Sequence, residues 1–165
     1  WINSCDGLLL ASYARRIHQM SKKNSKQFSK KKLNKKHNFF LNSYEDCAFT
    51  KCPKCETKTK IRKFPLVIHV QPQQLFLLNK QCKYCANSDL IIAKKQELES
   101  LMAAGLSQTN PHIIGNDYLV IGTVERKDWK AGSRGLLSAC EIVERMSVFK
   151  DQWNFEVIPS GWYPS

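Results

Sequence analysis

The sequence predicts an α+β fold: a β-hairpin closed by paired cysteines, then a helix and a C-terminal β-α-β segment, with a disordered basic arm in front. Three observations predict it. Residues 21–36 (SKKNSKQFSKKKLNKK) carry eight Lys and no acid. Two Cys-x-x-Cys pairs, Cys52-Pro-Lys-Cys55 and Cys82-Lys-Tyr-Cys85, enclose a stretch that alternates as a strand does. Beyond them, short apolar runs with period two flank stripes with helical spacing. These features divide the chain into an arm at 1–44, a cysteine-bounded unit at 45–88 and a C-terminal region at 89–165.

The arm follows from charge. The net charge is +12, and residues 1–63 hold 16 Lys/Arg against 4 Asp/Glu, while residues 64–165 hold 10 against 10. A segment with eight Lys and only Phe28 and Leu33 as large apolar groups buries too little surface to offset the entropy of ordering. Its densest charges are Lys30, Lys31, Lys32, Lys35 and Lys36. Such a run attracts polyanions by releasing their counterions, so nucleic acid is the expected partner, with RNA favoured. A solubilising tail is the plain alternative. Membrane contact fits less well, because no apolar face accompanies the lysines. No apolar run exceeds about four residues, far short of the roughly 20 a spanning helix needs. Residues 1–19, ahead of Met20, read as either an upstream translated extension or a fragment edge. As a secretory signal they fit badly, with a short LLLA core between Asp6 and Arg15-Arg16. A cytoplasmic location is the expectation.

The cysteines carry the readable chemistry. In a tight turn, residues i and i+3 can aim both sulfurs at one point, and two such turns supply four ligands to a tetrahedral ion. Cys52, Cys55, Cys82 and Cys85 are the expected ligands. Zinc suits four thiolates, and a closed site of this kind is structural rather than catalytic. Iron takes the same geometry, a thiol-redox pair wants a helix N-terminus, and plain core cysteines explain one or two thiols; spacing leaves these open. Cys47 stands outside the set, and Cys5 and Cys140 show no partner spacing. With four thiolates in place, His37 and His69 are not needed as ligands.

On Cys52, Pro53, Cys55, Cys82 and Cys85 the chain resembles the zinc ribbon family. The resemblance implies two knuckles at the same end of a β-hairpin sharing one zinc; it implies no activity. Glu56 and Ala86 stand where that family commonly has Gly.

Between the pairs, Lys58, Lys60 and Arg62 share parity with Phe64, Leu66, Ile68 and Val70, so one strand face starts basic and turns apolar. Pro65 marks an edge or bulge at the changeover. QPQQ at 71–74 reads as the turn and LFLL at 75–78 as the returning strand. Next, Ser88 or Asp89 is expected to cap a helix with Ile91, Leu98, Leu101 and Met102 on one face, ended by Gly105. Residues 107–117 read as a loop and Tyr118–Val124 as a buried strand. A loop with Trp129, Gly132 and Gly135 leads to a helix bearing Leu136, Ala139, Cys140, Val143 and Met146, and Trp153, Phe155 and Val157 form a last strand. If the two flanking strands pair in parallel, the crossover is right-handed.

Asp117, Glu125, Asp128 and Glu141 are scattered, and neither a nucleophile turn nor a phosphate-cradling Gly-rich loop is present. The expectation is therefore a non-enzymatic zinc protein whose arm, with Lys58, Lys60 and Arg62, contacts nucleic acid. The contrasting class is a protein-docking adaptor that works through the β-α-β region.

Overall fold

The computed structural model describes residues 34–157. In chain order these form β1 (Asn38–Asn42), β2 (Lys60–Val70), β3 (Gln74–Cys85), β4 (Leu90–Lys94), α1 (Lys95–Ser107), a 3₁₀ turn at Pro111–Ile113, β5 (Tyr118–Thr123), α2 (Arg126–Ser133), α3 (Ala139–Arg145), β6 (Ser147–Val148) and β7 (Asp151–Trp153). The seven strands make one mixed sheet in the order β6-β5-β2-β3-β4-β1-β7. β1 runs parallel to β4 and β7, and the remaining pairs are antiparallel.

The β2–β3 hairpin is the frame, paired without interruption from Lys60↔Tyr84 to Val70↔Gln74. Its alternation follows expectation: Phe64, Leu66, Ile68 and Val70 share a buried cluster, and Lys60 and Arg62 are exposed further along the same parity. Only Phe149 and Lys150 separate β6 from β7, yet those strands stand at opposite ends of the order. The sheet must therefore curl. Residues 34–37 hold the two ends together: Val148 N–H donates to Asn34 O, Lys36 N–H to Val148 O, and Lys150 N–H to His37 O.

Each face of the curled sheet is covered differently. On one, Phe39, Phe64, Leu66, Ile68, Ile91, Val120 and Phe149 pack under Leu98, Met102 and Leu106 of α1. Behind β5, β2 and β3, α2 and α3 cover Val67, Leu75 and Ile121 with Trp129, Ala139 and Ile142. Behind β4 and β1, Phe40, Leu90 and Ile92 are covered by Cys52, Phe49, Tyr44, Trp153 and Phe155 rather than by one of the described helices.

Several expectations are corrected. The arm does not extend to residue 44, because Phe39 and Phe40 are each 1% exposed within β1. Lys35 bridges Val148 and Lys36 pairs with Glu125 at 3.5 Å, so both belong to the fold. Lys30, Lys31, Lys32, the proposed upstream extension and the last eight residues lie outside the described residues. The hairpin is not a separate unit, since β2 also pairs with β5 and β3 with β4. No helix starts at Ser88 or Asp89. Leu90–Ala93, rich in β-branched residues and buried on both faces, is a strand between β3 and β1, and α1 begins only at Lys95. That helix runs through Gly105, and Leu101 faces outward at 46% exposure.

The stretch with Trp129 and Gly132 is helix α2, not loop. Gly132 suits it because a Cβ there would lie 2.8 Å from Leu77 Cδ1, so a larger residue would have to displace the end of that side chain for the helix to lie this close to β3. Helix α3 begins later than expected, with Ser138 and Glu141 forming a reciprocal capping box. β5 and the last strand do not pair in parallel. β6 runs antiparallel to β5, and β7 pairs with β1 at the far end, so the crossover rule has no parallel pair to act on.

One buried charge tests the packing under α1. Lys80 is 3% exposed and places its Nζ 2.7 Å from Glu97 Oε2 and 3.2 Å from Gln81 O. Glu97→Gln leaves that ammonium without its counterion. The expected loss is about 2 kcal/mol, below that of a wholly buried pair because water reaches Glu97. The hydrogen bond from Lys80 holds the Glu97 carboxyl below its ordinary value. This contribution is therefore complete above the unfolded pKa of about 4.3 and is lost as pH falls through the folded one. Urea denaturation of both proteins across pH 3–7 checks it: the gap between them should close in acid.

Candidate metal centre

The cysteine site is built from two turns at the open end of the β2–β3 hairpin. The first is the tip of a small loop that precedes β2. Lys51 bridges Lys58 in antiparallel sense, Thr59 N–H donates to Thr50 O, and the Thr59 hydroxyl donates to Phe49 O at 2.8 Å. Within this loop Glu56 N–H donates to Cys52 O, and Cys52 N–H to Thr57 O, both at 2.8 Å. Glu56 takes a left-handed backbone with φ 60° where the zinc ribbon commonly has Gly. The second turn follows β3, spans 86–89, and ends in Asp89, also left-handed with φ 48°.

Together the turns bring the sulfurs of Cys52, Cys55 and Cys85 within 4.8 Å of one another. Cys55 Sγ and Cys85 Sγ are 3.4 Å apart, well beyond the roughly 2.05 Å of a disulfide. In a tetrahedral zinc site with Zn–S bonds of about 2.3 Å, sulfurs stand about 3.8 Å apart. Cys52 and Cys85 are buried and Cys55 is half-buried. Three soft ligands at this separation form a set that can hold a metal ion such as zinc.

Hydroxyls and amides surround the sulfurs. Ser88 N–H donates to Cys85 Sγ at 3.5 Å, Ser88 Oγ lies 3.6 Å from Cys52 Sγ, and Thr57 Oγ1 lies 3.2 Å from Cys55 Sγ. Hydrogen bonds from the Ser88 hydroxyl, then Thr57 and Asn87, hold the Cys55 thiol down to about 5. Burial pushes Cys85 the other way. Cysteine spacing does not single out Thr57 or Ser88.

Cys82 is not part of the cluster, which corrects the expected second knuckle. β3 continues as extended strand through Cys85. Residues three apart on a strand point to opposite faces and stand about 10 Å apart, so this Cys-x-x-Cys cannot converge on one ion. Cys82 faces the α1 side, 4% exposed, with Sγ near Lys80 O, and burial pushes its thiol up to about 12. Cys47 also lies outside the cluster. Its carbonyl accepts from Asn42 Nδ2 at 2.9 Å, which fixes the turn leading to the first knuckle.

Asp89 braces the second turn. Its carboxylate meets His37 Nδ1, the Tyr84 hydroxyl at 2.8 Å and Lys150 Nζ at 2.9 Å, and Asn38 N–H donates to its carbonyl. Burial alone would raise this carboxyl, but the hydrogen bonds from His37, Lys150 and Tyr84 outweigh it and hold the group well below the usual carboxylate range. His37 is thus tied to Asp89.

The predicted cations of this region are all exposed. Lys58 and Lys60 are on the surface, and the Arg62 guanidinium sits 5.1 Å from the Tyr84 ring centre and 5.7 Å from that of Phe64. Lys54 lies 4.0 Å over the Trp153 ring. With Lys51 and Lys63 they make six cations between residues 51 and 63 against the single acid Glu56. Among the described residues, none of the six forms an ion pair. Among the described residues, no helix is long and apolar enough to cross a membrane. Compared with known proteins, the chain matches no family model, no curated protein and no solved structure.

Proposed function

We propose that this is a zinc-stapled, non-enzymatic nucleic-acid-binding protein, with single-stranded RNA favoured. The metal is structural. Cys52, Cys55 and Cys85 tie the loop at 43–57 to the end of the sheet, where that loop shares with Trp153 and Phe155 the cover over Phe40, Leu90 and Ile92. The observation that carries the binding half is the unpaired basic surface from Lys51 to Lys63, mounted on the stapled loop and the strand beside it. Cations without carboxylate partners are free to replace counterions on a phosphate chain. Arg62 over Tyr84 and Lys54 over Trp153 add flat cationic and aromatic surface on which unpaired bases stack. That favours single strands over a duplex.

Binding of a fluorescent oligoribonucleotide by the full chain, measured across a salt series, tests this reading. Affinity should fall steeply with salt, and changing Lys58, Lys60 and Arg62 together to Glu should weaken it by about tenfold or more and flatten the slope. Affinity indifferent to both changes removes the nucleic-acid reading.

A further inference from the structure

The three sulfurs leave one corner of a tetrahedron without a cysteine, and the chain repeats itself at that corner. In the first turn Cys52 is followed three residues later by Cys55 and then by Glu56 with φ 60°. In the second, Cys85 is followed three residues later by Ser88 and then by Asp89 with φ 48°. Both turns thus place a left-handed residue directly after the third residue on from the leading cysteine. The second knuckle is therefore displaced three residues along the chain from the one cysteine spacing picks out. Its trailing position holds a serine.

From the repeat and the distances we infer that the Ser88 hydroxyl is the fourth ligand, completing a three-thiolate, one-hydroxyl zinc site. In a tetrahedron with Zn–S of about 2.3 Å and Zn–O of about 2.1 Å, a sulfur and an oxygen stand about 3.6 Å apart. Ser88 Oγ is 3.6 Å from Cys52 Sγ. The backbone aligns it as well, since Ser88 N–H points at Cys85 Sγ. Oxygen from a hydroxyl is a harder and weaker partner for zinc than thiolate, so the native site releases metal more readily than a four-thiolate knuckle pair would. The inference rests on the three-cysteine metal reading.

The test uses the full chain loaded with Co²⁺ and then with Zn²⁺, titrated against a metallochromic chelator. Ser88→Cys should raise sulfur-to-cobalt charge-transfer absorption by about one third, as three thiolates become four, and should tighten Zn²⁺ binding by at least about tenfold. Ser88→Ala should leave that absorption unchanged while weakening Zn²⁺ by about tenfold or more. Unchanged affinity in Ser88→Ala, or unchanged absorption in the loaded Ser88→Cys protein, overturns the assignment and gives the corner to water. Wild-type protein that takes up no Co²⁺ overturns the three-cysteine reading itself, and the serine ligand with it.

Discussion

Replacing Cys85 by Ala should empty the metal centre, whereas replacing Cys82 by Ala should leave one metal per chain. The two residues are three apart, and spacing alone pairs them. β3 separates them, with Cys85 beside Cys55 at the rim and Cys82 among Phe64, Phe76 and Leu98 under α1. Loss of Cys85 or Cys52 removes one of three thiolates from a site whose ion contributes on the order of 10 kcal/mol in small zinc domains. A drop in stability of several kcal/mol is the expected cost. Cys82→Ala removes one sulfur from a packed core and should cost about 1 to 2 kcal/mol without touching metal content. Elemental analysis of proteins purified without added metal, read beside their denaturation midpoints, separates the two. Metal that follows Cys82 rather than Cys85 would return the ligand set to the four-cysteine spacing.

Chelation should free residues 43–57 while the rest of the sheet holds. That segment packs on Phe40, Leu90 and Ile92 through Tyr44, Phe49, Cys52 and Cys55, a small contact for a loop of its length. The β2–β3–β5 frame, in contrast, is covered by α1 on one face and by α2 and α3 on the other. Without the ion, the loop is held by these few apolar contacts and by the hydrogen bonds of Asn42 and Thr59. Amide exchange with and without chelator reads this directly. Protection within 43–57 should fall by about a hundredfold or more, near 2.7 kcal/mol, with β2, β3 and β5 little changed. Acid should act in the same direction, because burial raises the Cys85 thiol and protons then compete with the metal for it. Unchanged exchange everywhere would deny the metal its role as a staple, and uniform loss would make it a nucleus for the whole fold.

The candidate site was half legible in the chain. Cys52-Pro-Lys-Cys55 reads correctly because Pro53 and the short loop force a turn in which both sulfurs face one way. Cys82-Lys-Tyr-Cys85 misleads because the same spacing inside a strand sends its sulfurs to opposite faces. The cue for the true second turn, Cys85-Ala-Asn-Ser88 followed by Asp89, sits next to it, but a serine does not register in a count of cysteines. Elements were lost for comparable reasons. Leu90–Ala93 has apolar residues that suit a helix stripe or a buried strand, and only its two strand neighbours choose between them. Helix α2 is polar and contains Gly132, so its local signals favour a loop until Leu77 is known to lie beneath it.

By itself the sequence determined what depends on near neighbours: the alternation that makes β2 basic at one end and apolar at the other, the return through β3, and a pair of thiols three residues apart in a turn. The tertiary structure alone decided which third cysteine joins them, that Phe39 belongs to the sheet, and that Lys35 and Lys36 belong to the fold rather than to the arm. The physical reason is that a three-residue interval has no fixed direction. Backbone conformation sets whether side chains converge or part, and here that conformation is imposed on β3 by the strands paired on either side of it, β2 and β4.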